Sequence, residues 1–223
     1  EYQKGHVFSA INEELFSDKE REAVGTTYKK DSKETAINLG LEFAIPKIDY
    51  FINIVKQIAP NKKVLIYCAR GGMRSHSFAK MLEKAGFEVF LLINGYKAFR
   101  KHVLDSFSDK AKIVVLGGMT GSGKTDILKE LEQKGEQILD LEALGSHKGS
   151  AFGGLGQGIQ PTCQQFENDI FEKWHNFDFS KRIWVENESR KIGKATIPEA
   201  LFQQLQKAKL IELVVEKKIR AKR

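Results

Sequence analysis

Apolar positions recur along this chain with two spacings, and the alternation between them is the first thing it shows. Within the first forty residues the pattern is mostly polar loop, with one short helix expected over "SDKEREAVGTTYKK". "LGLEFAIPKIDYFINIVKQIA" then carries helical spacing, and "NKKVLIYC" reads as a buried strand entered from the turn-forming pair Pro60-Asn61. "SHSFAKMLEKAG" predicts a helix closed by Gly86, "FEVFLLI" a strand, and "GYKAFRKHVLDSF" another helix. Strands that alternate with helices imply a parallel sheet with helices packed on it.

The pattern turns polar around "SFSDKAK" and starts again. "KIVVLGG" is a strand, "KTDILKELEQKG" a helix ending at Gly135, and "EQILDLE" a second strand. A glycine-rich loop, "GSHKGSAFGGLGQGI", leads into a helix from about Pro161 to Trp174. "RIWVENES", "IPEALFQQLQKA" and "KLIELVV" complete the series as strand, helix and strand. The expected fold is therefore α/β with two parallel-sheet domains, over residues 1–108 and 109–223.

Composition narrows the setting. The chain has 223 residues, 41% hydrophobic and 29% charged, enough for two modest cores. No apolar run is long enough to span a bilayer, and "EYQKGHVF" carries no signal-peptide pattern, so no membrane role is expected. Two cysteines in unrelated contexts, Cys68 and Cys163, suit a reducing cytoplasm and make no disulfide scaffold. A net charge of +7 is equally compatible with a mixed-sign soluble surface and with attraction to a polyanion such as RNA. The chain starts at Glu1 and is read as a piece of a longer protein.

Two loops carry the chemistry. Gly118-Met119-Thr120-Gly121-Ser122-Gly123-Lys124-Thr125 fits the phosphate-binding pattern G-x-x-x-x-G-K-[ST] between a strand and a helix. Its glycines let several amides converge on one anion at a helix start, Lys124 adds a mobile charge, and Thr125 is the expected magnesium ligand. Asp140 and Glu186 end later strands, and either is a candidate for the accompanying acid or simply a solvated strand-end carboxylate.

The other loop is "YCARGGMRS". Cys68 lies between a strand and a helix start, with Arg70 and Arg74 nearby and Gly71 and Gly72 free to wrap the sulfur. Helix amides and positive charge both favour thiolate, the nucleophilic form. The spacing fits a cysteine phosphatase and also a rhodanese loop, in which the cysteine carries a chalcogen. Tyr67 stands where a phosphatase would usually place histidine, and no general-acid loop is evident, so a rhodanese-like domain is expected.

Longer stretches resemble one family, the tRNA 2-selenouridine synthases. "GHVFSAINEELFSDKEREAVGTTYKKDSKETAINLGLE", the two loops, "LDLEALGSHKGSAFGGLG" and "WVENESRKIGKATIPEAL" carry the resemblance, which spans nearly the whole chain. The family's opening strand would precede Glu1, and with only four strands expected after residue 109 the C-terminal end also reads as incomplete. The resemblance implies a cytoplasmic transferase that converts wobble 2-thiouridine of lysine, glutamate and glutamine tRNAs to 2-selenouridine. It would first transfer a geranyl group from geranyl diphosphate to the sulfur, then exchange that S-geranyl group for selenium from selenophosphate. Cys68 would carry the selenium as an S-selanylcysteine, Arg70 and Arg74 would orient the phosphate leaving group, and the P-loop with Mg2+ would hold the diphosphate. A monomer is expected. The P-loop alone also allows an ATP-dependent kinase carrying a sulfurtransferase module, or a phosphatase-like domain fused to a P-loop domain. A non-enzymatic RNA-binding or redox-sensing module is a further alternative.

Further residues stand out by their placement. His147, Lys148 and Ser150, in the glycine-rich loop, could approach a phosphate or the target base. Glu188 and Arg190 could pair near the phosphates or form a plain surface pair. Trp174, Phe177 and Phe179 are read as core rather than base-stacking residues, and Cys163 as incidental. The terminal run from Lys217 reads as a solvated tail, with tRNA contact or a lid over the P-loop as the sharper alternatives.

Overall fold

A computed structural model describes residues 1–149 and 153–221. The chain divides into two compact units: Ser9–Ala98, and Glu1–Phe8 together with Phe99–Arg223. Among the described residues no helix is long and apolar enough to cross a membrane.

The first unit opens with α1 (Asp18–Lys30), which starts where the sequence says it should. The Ser17 hydroxyl accepts the Glu20 amide, and the Glu20 carboxylate accepts the Ser17 amide at 2.7 Å, so two otherwise orphaned donors are satisfied reciprocally. The long helical stretch expected from Leu39 is in fact two helices, α2 (Lys33–Ala44) and α3 (Ile48–Ile58). Pro46 lacks an N–H and interrupts them with a 3-10 turn over Ile45–Lys47. α2 begins six residues before the apolar spacing does, because Ser32 caps it by accepting the Thr35 amide at 3.0 Å.

β1 (Lys63–Ile66), α4 (Met73–Lys84) and β2 (Glu88–Leu91) follow, with β1 and β2 parallel and in register from Lys63/Glu88 to Ile66/Leu91. Val55, Ala59, Leu82 and Phe87 form a small core under one face of this pair, joined by Val64, Ile66 and Val89. The alternate positions Leu65 and Phe90 point the other way and are exposed, as a period of two requires. Gly86 adopts a positive φ just past α4, the expected closing role. α5 (Gly95–Ser106) crosses the division between the units.

The second unit is built on four parallel strands in the order β4-β5-β3-β8: β3 (Lys112–Gly118), β4 (Gln137–Leu139), β5 (Arg182–Glu186) and β8 (Lys209–Leu213). Its helices are α6 (Lys124–Gln133), α7 (Leu141–Leu144), α8 (Cys163–Trp174), α9 (Glu199–Lys207) and α10 (Lys217–Arg220). Along β3 and β5 the buried side chains divide by parity. Ile113, Val115, Ile183 and Val185 join the main core with Phe166, Ile170 and Trp174 of α8, whereas Val114, Leu116 and Trp184 meet Leu128 of α6. Both faces are thus covered, which is why β3 reads as an uninterrupted apolar run. Phe177 and Phe179 pack against the main core, in keeping with the core reading of these aromatics.

A two-residue turn, Gly193-Lys194, joins β6 (Lys191–Ile192) to β7 (Ala195–Thr196) in a small antiparallel hairpin. It is too short to leave a periodic signal in the sequence. The segment Glu1–Phe8 lies on α8: Gln165 accepts the His6 amide at 2.9 Å, Asn168 donates to the His6 carbonyl at 2.8 Å, and Phe8 stacks on His175.

Candidate functional site

Cys68 follows β1 and is half-buried in the loop that leads to α4. The Gly72 amide donates to its sulfur at 3.3 Å, and the buried Ser75 hydroxyl lies 3.3 Å from the same atom. Burial pushes the thiol pKa up, and this is the largest single influence. The hydrogen bond with Ser75 and the amides of Arg70, Ser75 and Gly72 together outweigh it and bring the pKa down to about 7. The thiolate is therefore favoured by main-chain dipoles and one hydroxyl. Arg70 acts on it through its backbone amide, and its side chain is exposed, whereas Arg74 is half-buried.

The loop is held from behind by the start of α5. The amides of Tyr96 and Lys97 donate to the carbonyls of Cys68 and Ala69 at 3.0 and 2.9 Å. Gly71 and Gly95 both have φ of +61°, and each backbone occupies the space where a Cβ on the other would sit. A side chain at position 95 would run into the Cys68 carbonyl and the Gly71 amide. Ser75 enters the sequence reading only as the last position of the Cys68-x-x-Gly71-x-x-Arg74-Ser75 spacing, and Gly95 does not enter it at all. "RS" after the glycines was the available signal for the first, and "NG" between strand and helix for the second.

The second loop runs from β3 into α6, with Gly118, Gly121 and Gly123 at positive φ. These conformations let the main chain curl around an anion site at the helix start. Lys124 donates to the Gly118 carbonyl at 2.9 Å and pairs with Glu186 at 3.1 Å, both side chains being nearly buried. Thr125 reaches the other Glu186 oxygen at 3.4 Å. Glu186 ends β5 beside β3, in register with Leu116, which places it under the loop. Ser122 is buried and its hydroxyl has no hydrogen-bond partner among the described residues.

Of the two strand-end acids, the structure brings only Glu186 directly onto the P-loop. Asp140 caps α7 instead, accepting the Ala143 amide at 2.9 Å. Glu142, two residues on, joins Glu186 and Glu188 in a group of carboxylates within 4.8 Å of one another. Burial, followed by repulsion from Glu186, Glu188 and Asp140, raises the Glu142 pKa to about 7. Burial and Glu186 likewise raise that of Glu188. Such a set of hard oxygen donors, with Thr125 beside it, fits a divalent cation such as Mg2+. Glu142 was missed because "DLE" offers two carboxylates and only the fold decides which faces the loop.

Among its described residues the glycine-rich loop meets the carboxylates through main chain. Gly149 lies against the carboxylates of Glu142 and Glu188, where a Cβ would collide with both. The His147 ring packs against Gly153 and Gly193, and its amide donates to the Glu142 carbonyl at 3.0 Å. Lys148 is exposed, with its amide bonded to the Gly153 carbonyl. Ser150 lies outside the described residues. Arg190 pairs at 2.6 Å with Glu199 rather than Glu188, so the pair considered near the phosphates is a surface one elsewhere.

Both halves match known proteins. A rhodanese-like domain matches residues 1–102, and the tRNA 2-selenouridine synthase AAA domain matches residues 111–223. The chain belongs to the tRNA 2-selenouridine synthase family. A curated synthase from Nitrosomonas europaea is 34% identical over 222 residues, covering 95% of this chain and 56% of the relative. Those of Shewanella denitrificans and Pseudomonas savastanoi are 37% and 36% identical, each match covering 96% of this chain and 59% of the relative. The chain thus spans somewhat over half the length of the family members it matches.

Proposed function

We propose that this chain carries the two reaction centres of a tRNA-modifying transferase that turns wobble 2-thiouridine into 2-selenouridine. The Cys68 loop would hold the selenium donor and the P-loop would seat a geranyl diphosphate. The observation that carries the reading is a cysteine held by its loop's amides, which bring its pKa to about 7, in the same chain as a glycine loop that turns at a helix start beside Lys124.

In the first step the sulfur of 2-thiouridine attacks the first carbon of the geranyl group. A C–S bond forms, the C–O bond breaks, and pyrophosphate leaves. The amides of Thr120 to Thr125 and the Lys124 ammonium take up its charge. Lys124 must exchange Glu186 for a phosphate oxygen, and leaving a nearly buried carboxylate unpaired is costly. Mg2+ held by Thr125 and Glu186, with Glu142 and Glu188 adjoining, would supply the charge neutralisation that the exchange requires.

In the second step the selenium of selenophosphate attacks C2: a C–Se bond forms, the C–S bond breaks and geranylthiol departs. Water then cleaves the P–Se bond and phosphate is released. Alkylation has by then made a poor sulfur leaving group into a better one. The loop amides around Cys68 would hold the selenophosphate with its selenium beside the sulfur, and Arg70 and Arg74 would orient the phosphate, so selenium stays at the selenide level throughout. The substrates would be the lysine, glutamate and glutamine tRNAs, met by a monomer in the cytoplasm.

The test separates the steps. Nucleoside analysis of 2-thiouridine tRNA treated with the protein and both donors should show 2-selenouridine. Lys124→Ala should lower geranylation by about a hundredfold or more while sparing selenation of pre-geranylated RNA. Cys68→Ser should do the reverse. Equal loss of both steps in either variant, or ATP turnover that depends on Lys124, would count against the reading and favour a kinase with a sulfurtransferase module.

A further inference from the structure

The charge run at the end of the chain has no part in the chemistry above, yet the fold brings it to the P-loop. β8 ends at Leu213, which lies in register with Gly118, so the chain leaving the sheet passes beside the loop. α10 then closes against it: a Cβ at Gly121 would lie 2.7 Å from the Arg220 carbonyl oxygen, so the two main chains touch. The Arg220 side chain is half-buried there. Its Nε donates to the Val215 carbonyl at 3.0 Å and its Nη1 to the Thr120 carbonyl at 3.3 Å.

Both partners are neutral, and a guanidinium has five N–H donors to place. Among the described residues no carboxylate pairs with Arg220, unlike Lys124, whose charge is answered by Glu186. An unanswered positive charge, hydrogen-bonded to the backbone of a loop whose amides converge on an anion, suits phosphate recognition. A planar fork can take two oxygens of one phosphoryl group, which an ammonium cannot.

We propose that Arg220 is a further binding residue of the P-loop, turning from the Thr120 carbonyl onto a phosphate oxygen of the bound diphosphate. Residues 214–221 then form a strap that closes over the donor. The assignment rests on the reading of the P-loop as a diphosphate site, and the experiment keeps the two apart.

Calorimetric titration of the whole chain with inorganic pyrophosphate and Mg2+ is measured for the wild type, Lys124→Ala, Arg220→Ala, Arg220→Lys and Arg220→Gln. Lys124→Ala should remove binding. Arg220→Ala should weaken it about tenfold, the loss of one hydrogen bond to a charged group. Arg220→Lys should recover part of the affinity, and added guanidinium should restore Arg220→Ala but not Lys124→Ala. Arg220→Gln keeps a donor for the Thr120 carbonyl without the charge; wild-type affinity in that variant would show a mere docking contact and overturn the proposal. Wild-type affinity in Arg220→Ala with binding lost in Lys124→Ala would also overturn it and leave the P-loop reading intact. No binding by the wild type, or equal binding by Lys124→Ala, would overturn both.

Discussion

The cysteine loop and the P-loop are built on one plan, a parallel strand running through a glycine turn into a helix, yet they manage charge in opposite ways. The cysteine loop brings its own anion: the sulfur sits among the amides, and Ser75 and Gly72 are already bonded to it. The P-loop holds no anionic group of its own among its side chains, and its Lys124 is answered by Glu186 of the neighbouring strand. The buried serines show the same contrast. Ser75 has the sulfur and the Gly72 carbonyl as partners, whereas the Ser122 hydroxyl has none among the described residues.

If the cysteine loop is preorganised in this sense, disturbing its backing should cost most. Gly95→Ala places a methyl group against the Cys68 carbonyl and the Gly71 amide, at a φ of +61° that side chains resist. An expected loss of about 1–3 kcal/mol should appear as a lower denaturant midpoint, with slower alkylation of Cys68 by iodoacetamide. Gly135→Ala, also at positive φ but with nothing near its Cβ, should cost less and leave alkylation alone. Unchanged stability and alkylation in Gly95→Ala would break the comparison, because the loop would then not depend on its seat.

A smaller effect is expected from the hydroxyl. Ser75→Ala removes the hydrogen bond that most favours the thiolate, so the Cys68 pKa should rise from about 7 by about one unit. The sign follows from which form the bond stabilises: less thiolate at neutral pH, and alkylation whose midpoint moves upward. Ser75→Thr should restore the midpoint. A profile that did not move would assign the low pKa to the amides alone.

Much of this was legible in the residues. β3 runs from Lys112 to Gly118 as its apolar run says, and Glu186 was a candidate before its pairing with Lys124 was visible. What escaped were contacts made across the fold. Gly95 supports Cys68 from a turn 27 residues away, Glu142 was hidden behind Asp140 in the same tripeptide, and Arg220 meets a loop 100 residues earlier. Local motifs name the residues that touch a ligand, but they cannot name the residues that hold those residues in place. α2 was half-missed for a related reason. Its first turns are polar, and it is fixed by the Ser32 cap and by the burial of Ala36 and Gly40 rather than by an apolar stripe.

The smallest effect sharpens the division of labour among the acids beside the P-loop. Asp140 directly follows β4 whereas Glu186 ends β5, and the Asp140 carboxylate is spent on the Ala143 amide at the start of α7. Asp140→Ala should therefore cost about 1 kcal/mol, as the loss of a helix cap does, and Asp140→Asn or Asp140→Ser should recover most of it. Pyrophosphate affinity in the presence of Mg2+ should fall little, whereas Glu186→Gln should lower it strongly by removing a hard donor for the cation. If Asp140→Asn kept the stability but lost the ligand, the cap would be only half of that residue's work, and β4 as well as β5 would have to be counted as a wall of the site.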